Sequence, residues 1–243
     1  MFAIFQREVR SFFTSPVGYL IIGAFLLLTG LFLWVFKGEY NILDQGFADL
    51  GNFFLLVPWI FVFLVPAVTM KSFSEERKMG TLELLLIRPI SIGELVLGKF
   101  FGAFLLGVIA LVPTIIYVLA ISDLGIVPGN YDLGVVLGSY FGLLFLLAAY
   151  TAIGLFASTL SENQILAFLA GILICFVLYQ GFEAAASLAT DGDRVQLIRS
   201  LGAKAHVDSI ARGVIDTRDL VYFLSLTLMF LYLTQQRLKQ LPR

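Results

Sequence analysis

Six apolar runs, each close to the ~20 residues needed to cross ~30 Å of hydrocarbon at ~1.5 Å per residue, decide what this chain can become. They lie near 17–36, 53–70, 101–121, 133–157, 165–182 and 220–234. With 59% hydrophobic residues, 14% charged residues and a mean hydropathy of +0.94, the chain is too apolar for a soluble domain. The expected fold is an all-α membrane protein, one transmembrane domain over 1–243 with six transmembrane helices. A net charge of −1 leaves no basic footprint for nucleic acid. The single cysteine, Cys175, excludes an intrachain disulfide and a zinc cluster and reads as a packed core residue.

Lysine and arginine set the orientation. Arg7 and Arg10 before the first run, five basic residues over 71–99, and Arg237, Lys239 and Arg243 in the tail place both termini in the cytoplasm. The loops 37–52 and 122–132 hold one basic residue and none, and go outside. Residues 1–16 form an amphipathic pattern, Phe2, Phe5, Val9, Phe12 and Phe13 sharing a face, that predicts an interfacial helix broken from the first span at Ser15 and Pro16. Pro58 and Pro66 in the second run and Pro113 in the third permit kinks. The external segment 183–219 holds two short helical patterns, Val195, Ile198 and Leu201, then Val207, Ile210 and Ala211, with Gly213 as a stop and Asp216 or Thr217 as cap of the last span. Gly134, Gly138 and Gly142 recur at one-turn spacing, as do Gly98 and Gly102, and let helix backbones approach closely.

The one conspicuously polar stretch is 70–100, which holds nine of the chain's 33 charged residues around an apolar knot, Leu82 and 84–87. A helix leaving the membrane at Met70 runs until Gly80 interrupts it. Thr81 then caps a short helix over 82–87, which ends before Pro89, and Ser91 with Glu94 forms a capping box for the third span. A charged rim around an apolar knot suggests a docking surface; a plain solvated loop is the alternative.

Glu75, Glu76, Arg77, Lys78, Gly80, Thr81, Leu82, Glu83, Leu84, Leu85, Pro89, Ile90, Ser91, Glu94, Gly98 and Lys99 together resemble the first cytoplasmic loop of permease subunits of exporter-type ATP-binding-cassette transporters. More narrowly, the whole chain resembles the GldF family of gliding-motility permeases. His206, Asp208, Arg212, Gly213, Asp216 and Asp219 carry that narrower resemblance, and Val207 departs from it where an aromatic residue is expected. The resemblance implies that the segment 71–91 carries a coupling helix seated on a separate cytoplasmic ATPase subunit, which holds the ATP and magnesium. Glu75, Glu76, Arg77, Lys78 and Glu83 would then be an electrostatic rim, Leu82, Leu84 and Leu85 the knob, and Gly80 and Pro89 the breaks that let it protrude. The turn after the fourth run, with Ser161, Glu162 and Asn163, would be a second ATPase contact, although a plain polar turn reads equally well. A second permease subunit is also implied, either a copy of this chain or a related chain with an external domain, in the inner membrane of a bacterium. The expected work is substrate export or mechanical force across that membrane.

Catalytic and ion-coupled readings fare worse. Gly93 to Lys99 matches seven positions of a phosphate-binding loop, but Phe100 stands where Ser or Thr must ligate magnesium. The chain is therefore not expected to be an enzyme. An intramembrane hydrolase would need Ser139 beside His206, which falls in a surface segment. An ion-coupled transporter would need ionisable groups at mid-membrane, and no Asp, Glu, Lys, Arg or His falls in the middle of any run.

Overall fold

A computed structural model of the chain describes residues 1–46, 49–82, 91–124, 131–211 and 216–240. All regular structure among them is helical. Helix α1 (Phe2–Thr14) stops at Ser15, whose backbone is extended, and Pro16 opens α2 (Pro16–Gly30). Proline disfavours helix in the residue before it yet suits the first helical position, where no N–H is needed. The N-terminal segment is consequently a separate helix. A wider turn over Leu31–Val35 extends α2, and Asn41 caps the single turn α3 (Ile42–Gln45).

Helix α4 (Gly51–Thr69) carries Pro58 and Pro66 without interruption and leads through Met70 into the polar α5 (Lys71–Lys78). Helix α6 (Ile92–Leu111) opens on a complete Ser91–Glu94 capping box. Pro113 tightens the chain into one narrow turn, Val112–Thr114, before α7 (Ile115–Leu124). Asp132 caps α8 (Leu133–Leu160), and Asn163 caps α9 (Gln164–Phe176), which continues through a wide turn into α10 (Phe182–Ala186). Two short helices, α11 (Gly192–Ser200) and α12 (Ala203–Ile210), precede α13 (Thr217–Gln240). Of the two cap residues expected for α13, Asp216 accepts from the Arg218 N–H at 2.8 Å. The proposed stop at Gly213 lies outside the described residues.

Five rods are long and apolar enough to cross a membrane: Pro16–Val35, Gly51–Lys78, Ile92–Leu124, Leu133–Leu160 and Gln164–Ala186. The sixth expected run forms the middle of α13. Polar residues at both of its ends, Arg218 and Asp219, then Gln235, Gln236 and Arg237, set it apart from the other five.

Helix α8 is the axis, packed on α4, α5, α6, α9, α12 and α13. Small residues make those approaches possible: Gly154 faces Thr69 of α4, and Gly107 of α6 admits Leu147 of α8. Gly171 of α9 similarly faces Pro66 of α4. The three glycines Gly134, Gly138 and Gly142 have different surroundings within this chain. Gly142 receives Ile210 of α12 and Gly138 is buried, but Gly134 is exposed in the first turn beside its capping Asp132. Outward faces of α2 and α9 stay apolar and bare, with Leu20, Leu27, Leu169 and Leu173 exposed.

Candidate functional site

The polar stretch, the N-terminus and the turn after α8 meet at one end of the bundle. Their meeting is built on Lys99, at the start of the third turn of α6 between Gly98 and Gly102. The two glycines let α1 lie directly on α6: a Cβ on Gly98 would sit 2.8 Å from Ile4, and one on Gly102 would sit 2.7 Å from Glu8. Lys99 is 2% exposed. Its ammonium has three protons and three acceptors: Ser72 O at 2.7 Å, Glu76 Oε1 at 2.8 Å and Glu8 Oε1 at 3.1 Å. The Phe73 ring lies 5.1 Å away.

Arg7 closes the cluster, its Nη2 within 2.9 Å of both Glu8 Oε1 and Glu76 Oε1. Two cations thus face two carboxylates contributed by α1, α5 and α6, and the charge cancels. Burial opposes ionisation of Glu8, but Lys99 and Arg7 outweigh it and hold its carboxyl below the usual range. Burial likewise disfavours the Arg7 cation, yet Glu8 and Glu76 raise its pKa above the ordinary value. At the start of α6, Glu94 Oε2 accepts from the Ser91 N–H and from the Ser91 hydroxyl, each at 3.2 Å.

A second link joins α5 to the turn after α8. Arg77 donates to the Thr159 carbonyl at 2.8 Å and to Glu162 Oε1 at 3.2 Å. Ser161 accepts from the Asn163 N–H at 3.0 Å, and Asn163 caps α9 through the Ile165 N–H. Ser161, Glu162 and Asn163 are therefore brought beside the polar stretch.

The residues expected on the rim divide. Glu75 is half-buried and Lys78 exposed, whereas Glu76 is turned inward onto Lys99 and Arg77 is engaged by the α8 turn. Leu82, expected in the protruding knob, is 4% exposed and belongs to the chain's own core. Gly80 ends α5 in the left-handed region, φ +66°, with nothing near its missing side chain. Thr81 donates its hydroxyl to the Glu76 carbonyl at 3.3 Å and so ties the chain back across that break. Glu83, Leu84, Leu85 and Pro89 lie outside the described residues. The sequence reading uses Arg7 for orientation and Lys99 for the loop resemblance, and gives neither of them, nor Glu8, a place in a junction. The available signal was a lysine set between two glycines on a helix-packing face, which requires a carboxylate from whatever helix packs there.

At the other end, Ser139 and His206 do not form a hydrolytic pair. Ser139 Oγ donates to the Ala211 carbonyl at 3.4 Å, while both His206 nitrogens are engaged elsewhere, by Asp219 and the Ser200 carbonyl.

A family model described as ABC-2 family transporter protein matches residues 2–241. The chain belongs to the ABC-2 transporter family. No curated protein matches it. Membership makes the chain a multi-pass membrane permease subunit of an ATP-binding-cassette transporter and implies an ATPase partner. In this ABC-2 permease the Lys99 junction fastens three helices, α1, α5 and α6, and Arg77 adds the α8 turn. A displacement of α5 therefore reaches both α6 and α8.

Proposed function

We propose that this ABC-2 permease couples ATP hydrolysis by a separate cytoplasmic ATPase to export or mechanical work, in a transporter of the gliding-motility type. The ATPase would seat against the segment 71–91 and the turn 161–163. The observation that carries this reading is Arg77, which ties those two otherwise distant stretches into one surface. Glu75 and Lys78 form the rim of that surface; Glu83, which the resemblance adds to it, lies outside the described residues. Met79, 61% exposed beside Lys78, adds an apolar contact. Cofactor chemistry, ATP with magnesium, belongs to the partner.

Six spans with both termini inside fit this reading. The Gln235 side chain of α13 lies 3.8 Å from the position of a Cβ on Gly93, at the start of α6, so α13 ends beside the Lys99 junction. It begins beside His206, through Asp219. Its 24 residues cover about 36 Å at ~1.5 Å each, enough to cross the hydrocarbon. Helix α1 lies in the cytoplasmic interface and α11 with α12 on the outer surface of the bacterial inner membrane. The bare apolar faces of α2 and α9 meet lipid or a second permease subunit, either a copy or a related chain with an external domain. The fit to the gliding-motility type rests on the resemblance of the 206–219 segment.

The test is detergent co-purification from the native membrane with ATPase activity assayed on the product. A soluble subunit is expected to accompany the permease, and the double reversal Glu75→Lys with Lys78→Glu to release it while the permease still inserts. A chain that emerges without hydrolytic activity would sink the coupling reading.

Gly80→Leu is a second expected result. A β-carbon in the left-handed region costs about 1–2 kcal/mol, and the new side chain meets no neighbour, so the chain should refold locally rather than fail. Hydrolysis by the copurified complex is expected to persist while transport or force generation is lost. Unchanged coupled activity would remove Gly80 as a hinge.

A further inference from the structure

The end of the bundle opposite Lys99 holds the chain's only histidine. Ser139 and Thr159 mark the two ends on α8, and their separation of 20 positions puts the ends about 30 Å apart. His206, on α12, is held by acceptors on both ring nitrogens. Nδ1 lies 2.6 Å from Asp219 Oδ1 of α13, and Nε2 lies 2.9 Å from the Ser200 carbonyl that ends α11. Neither partner can donate when Asp219 is ionised. A neutral imidazole has one N–H and one lone pair, so it satisfies only one of these contacts; the doubly protonated ring satisfies both.

Three further features favour the cation. The Ser200 carbonyl belongs to the last turn of α11, where helix carbonyls lack intrahelical partners and the helix dipole is negative. The ring lies flat on Tyr222, centroids 3.9 Å apart and planes 19° from parallel, a cation-over-ring arrangement. Asp219 is 5% exposed, and its Oδ2 has no hydrogen-bond partner, so a buried carboxylate has His206 as its neutralising neighbour among the described contacts. The Tyr222 hydroxyl donates to the next carbonyl, Leu201 O, at 2.8 Å. Helix α13 thus reaches the end of α11 twice, once directly and once through His206.

We propose that His206 is a proton-operated clasp that fastens α11 and α12 to the start of α13, closed when the imidazole carries two protons and opened toward α11 when it loses one. In the neutral ring Asp219 keeps the remaining proton on Nδ1, and the Nε2 lone pair then faces the Ser200 carbonyl. The contact with α11 is the one that fails as pH rises. Histidine is the side chain whose unperturbed charge change falls between about pH 5 and 8.

Other charged and titratable groups lie on the elements around the clasp: Asp216 caps α13 through the Arg218 N–H, and Asp191, Asp193 and Arg194 sit at the far, N-terminal end of α11, with Arg194 paired to Asp191 at 3.4 Å. Arg199 of α11 pairs with Glu183 of α10 at 2.9 Å. Arg218 and Tyr222 of α13 line the cleft beside the ring. Lys204 and Asp208 share its helix, and Tyr179 lies in the turn packed against α12. On α8 the nearest charge toward this end is Asp132, engaged as the helix cap.

With a single histidine in the chain, ring-nitrogen NMR of the full-length protein in detergent reports on His206 alone. Two ring N–H protons are expected at the acid end of a pH series and one, on Nδ1, at its alkaline end. Amide exchange over 192–210, corrected for its intrinsic pH dependence, is expected to quicken about tenfold between those ends, the worth of one charge-assisted hydrogen bond. His206→Gln should remove the pH dependence. A ring with a single N–H throughout the series, or wild-type exchange as flat with pH as that of the variant, overturns the proposal. The NMR measurement decides the matter even where the variant does not fold.

Discussion

Lys99→Ala is expected to destabilise the permease by about 3–5 kcal/mol and to free α1 from α6, because it strands two carboxylates that the native chain neutralises in a buried site. Glu8 Oε1 and Glu76 Oε1 would each lose the ammonium, leaving one guanidinium, Arg7, to serve both. Glu76 Oε2 is already buried without a hydrogen-bond partner, so the site has no spare solvation to offer. Lys99→Met, which keeps most of the volume, should be nearly as harmful, since the cause is charge rather than a cavity. Adding Glu8→Gln and Glu76→Gln to Lys99→Met should recover much of the loss. Thermal unfolding in detergent measures all three, and a spin label at Gln6→Cys reads the mobility of α1 directly, the native Cys175 being buried. A midpoint for Lys99→Ala equal to wild type would show that the cluster carries no stabilising energy. The same junction should loosen in acid. Glu8 has its pKa lowered in the folded chain, so its stabilising contribution is complete above the ordinary carboxylate range and is lost as pH falls through the lower folded value.

Where local chemistry decides an element, the sequence predicts it closely. Ser15 with Pro16 separates α1 from α2, Ser91 with Glu94 starts α6, and Asp216 caps α13, because caps and proline act within one turn. What escaped is what depends on a partner distant in sequence. Glu76 and Arg77 look identical to Glu75 and Lys78 along the chain, and only the positions of Lys99 and of the Thr159 carbonyl turn the first two inward. Leu82 was expected to protrude for the same reason: apolarity announces burial without saying whether the chain or a partner supplies it. The glycine stripe of α8 shows the converse. Spacing placed Gly134, Gly138 and Gly142 on one face, but α12 covers that face only at Gly142 among the contacts described. Helix α13 falls short of the other five rods because its apolar middle, 220–234, is short and both flanks are polar, although the fold carries it from one end of the bundle to the other.

Gly154→Ala is expected to act through that same packing logic, at the crossing of α4 and α8. A β-carbon there would overlap Thr69 Oγ1 and come within 3.0 Å of Thr69 Cβ. Thr69 is wholly buried, and its hydroxyl donates to the Val65 carbonyl at 2.9 Å, so it cannot turn away without losing that bond. The helices must part, at a cost of about 1–3 kcal/mol for overpacking. The control is Gly107→Ala at the crossing of α6 and α8, where the near atoms are the terminal methyls of Leu147, which can rotate. Both changes add one methyl group to an α8 crossing, so a difference in unfolding midpoint isolates the rigidity of the neighbour. Thr69→Ala should relieve Gly154→Ala, removing the oxygen and leaving the 3.0 Å contact, and the double-mutant cycle should show a favourable coupling of about 0.5–3 kcal/mol. The functional consequence follows from position. Helix α4 leads straight into α5, and α5 is tied back to α8 by Arg77 at the Thr159 carbonyl, five residues beyond Gly154. Wedging the crossing apart strains that tie, so the proposed ATPase-coupled activity should fall in Gly154→Ala and return with Thr69→Ala. Equal midpoints for Gly154→Ala and Gly107→Ala would mean that the α4–α8 crossing yields as readily as a leucine side chain.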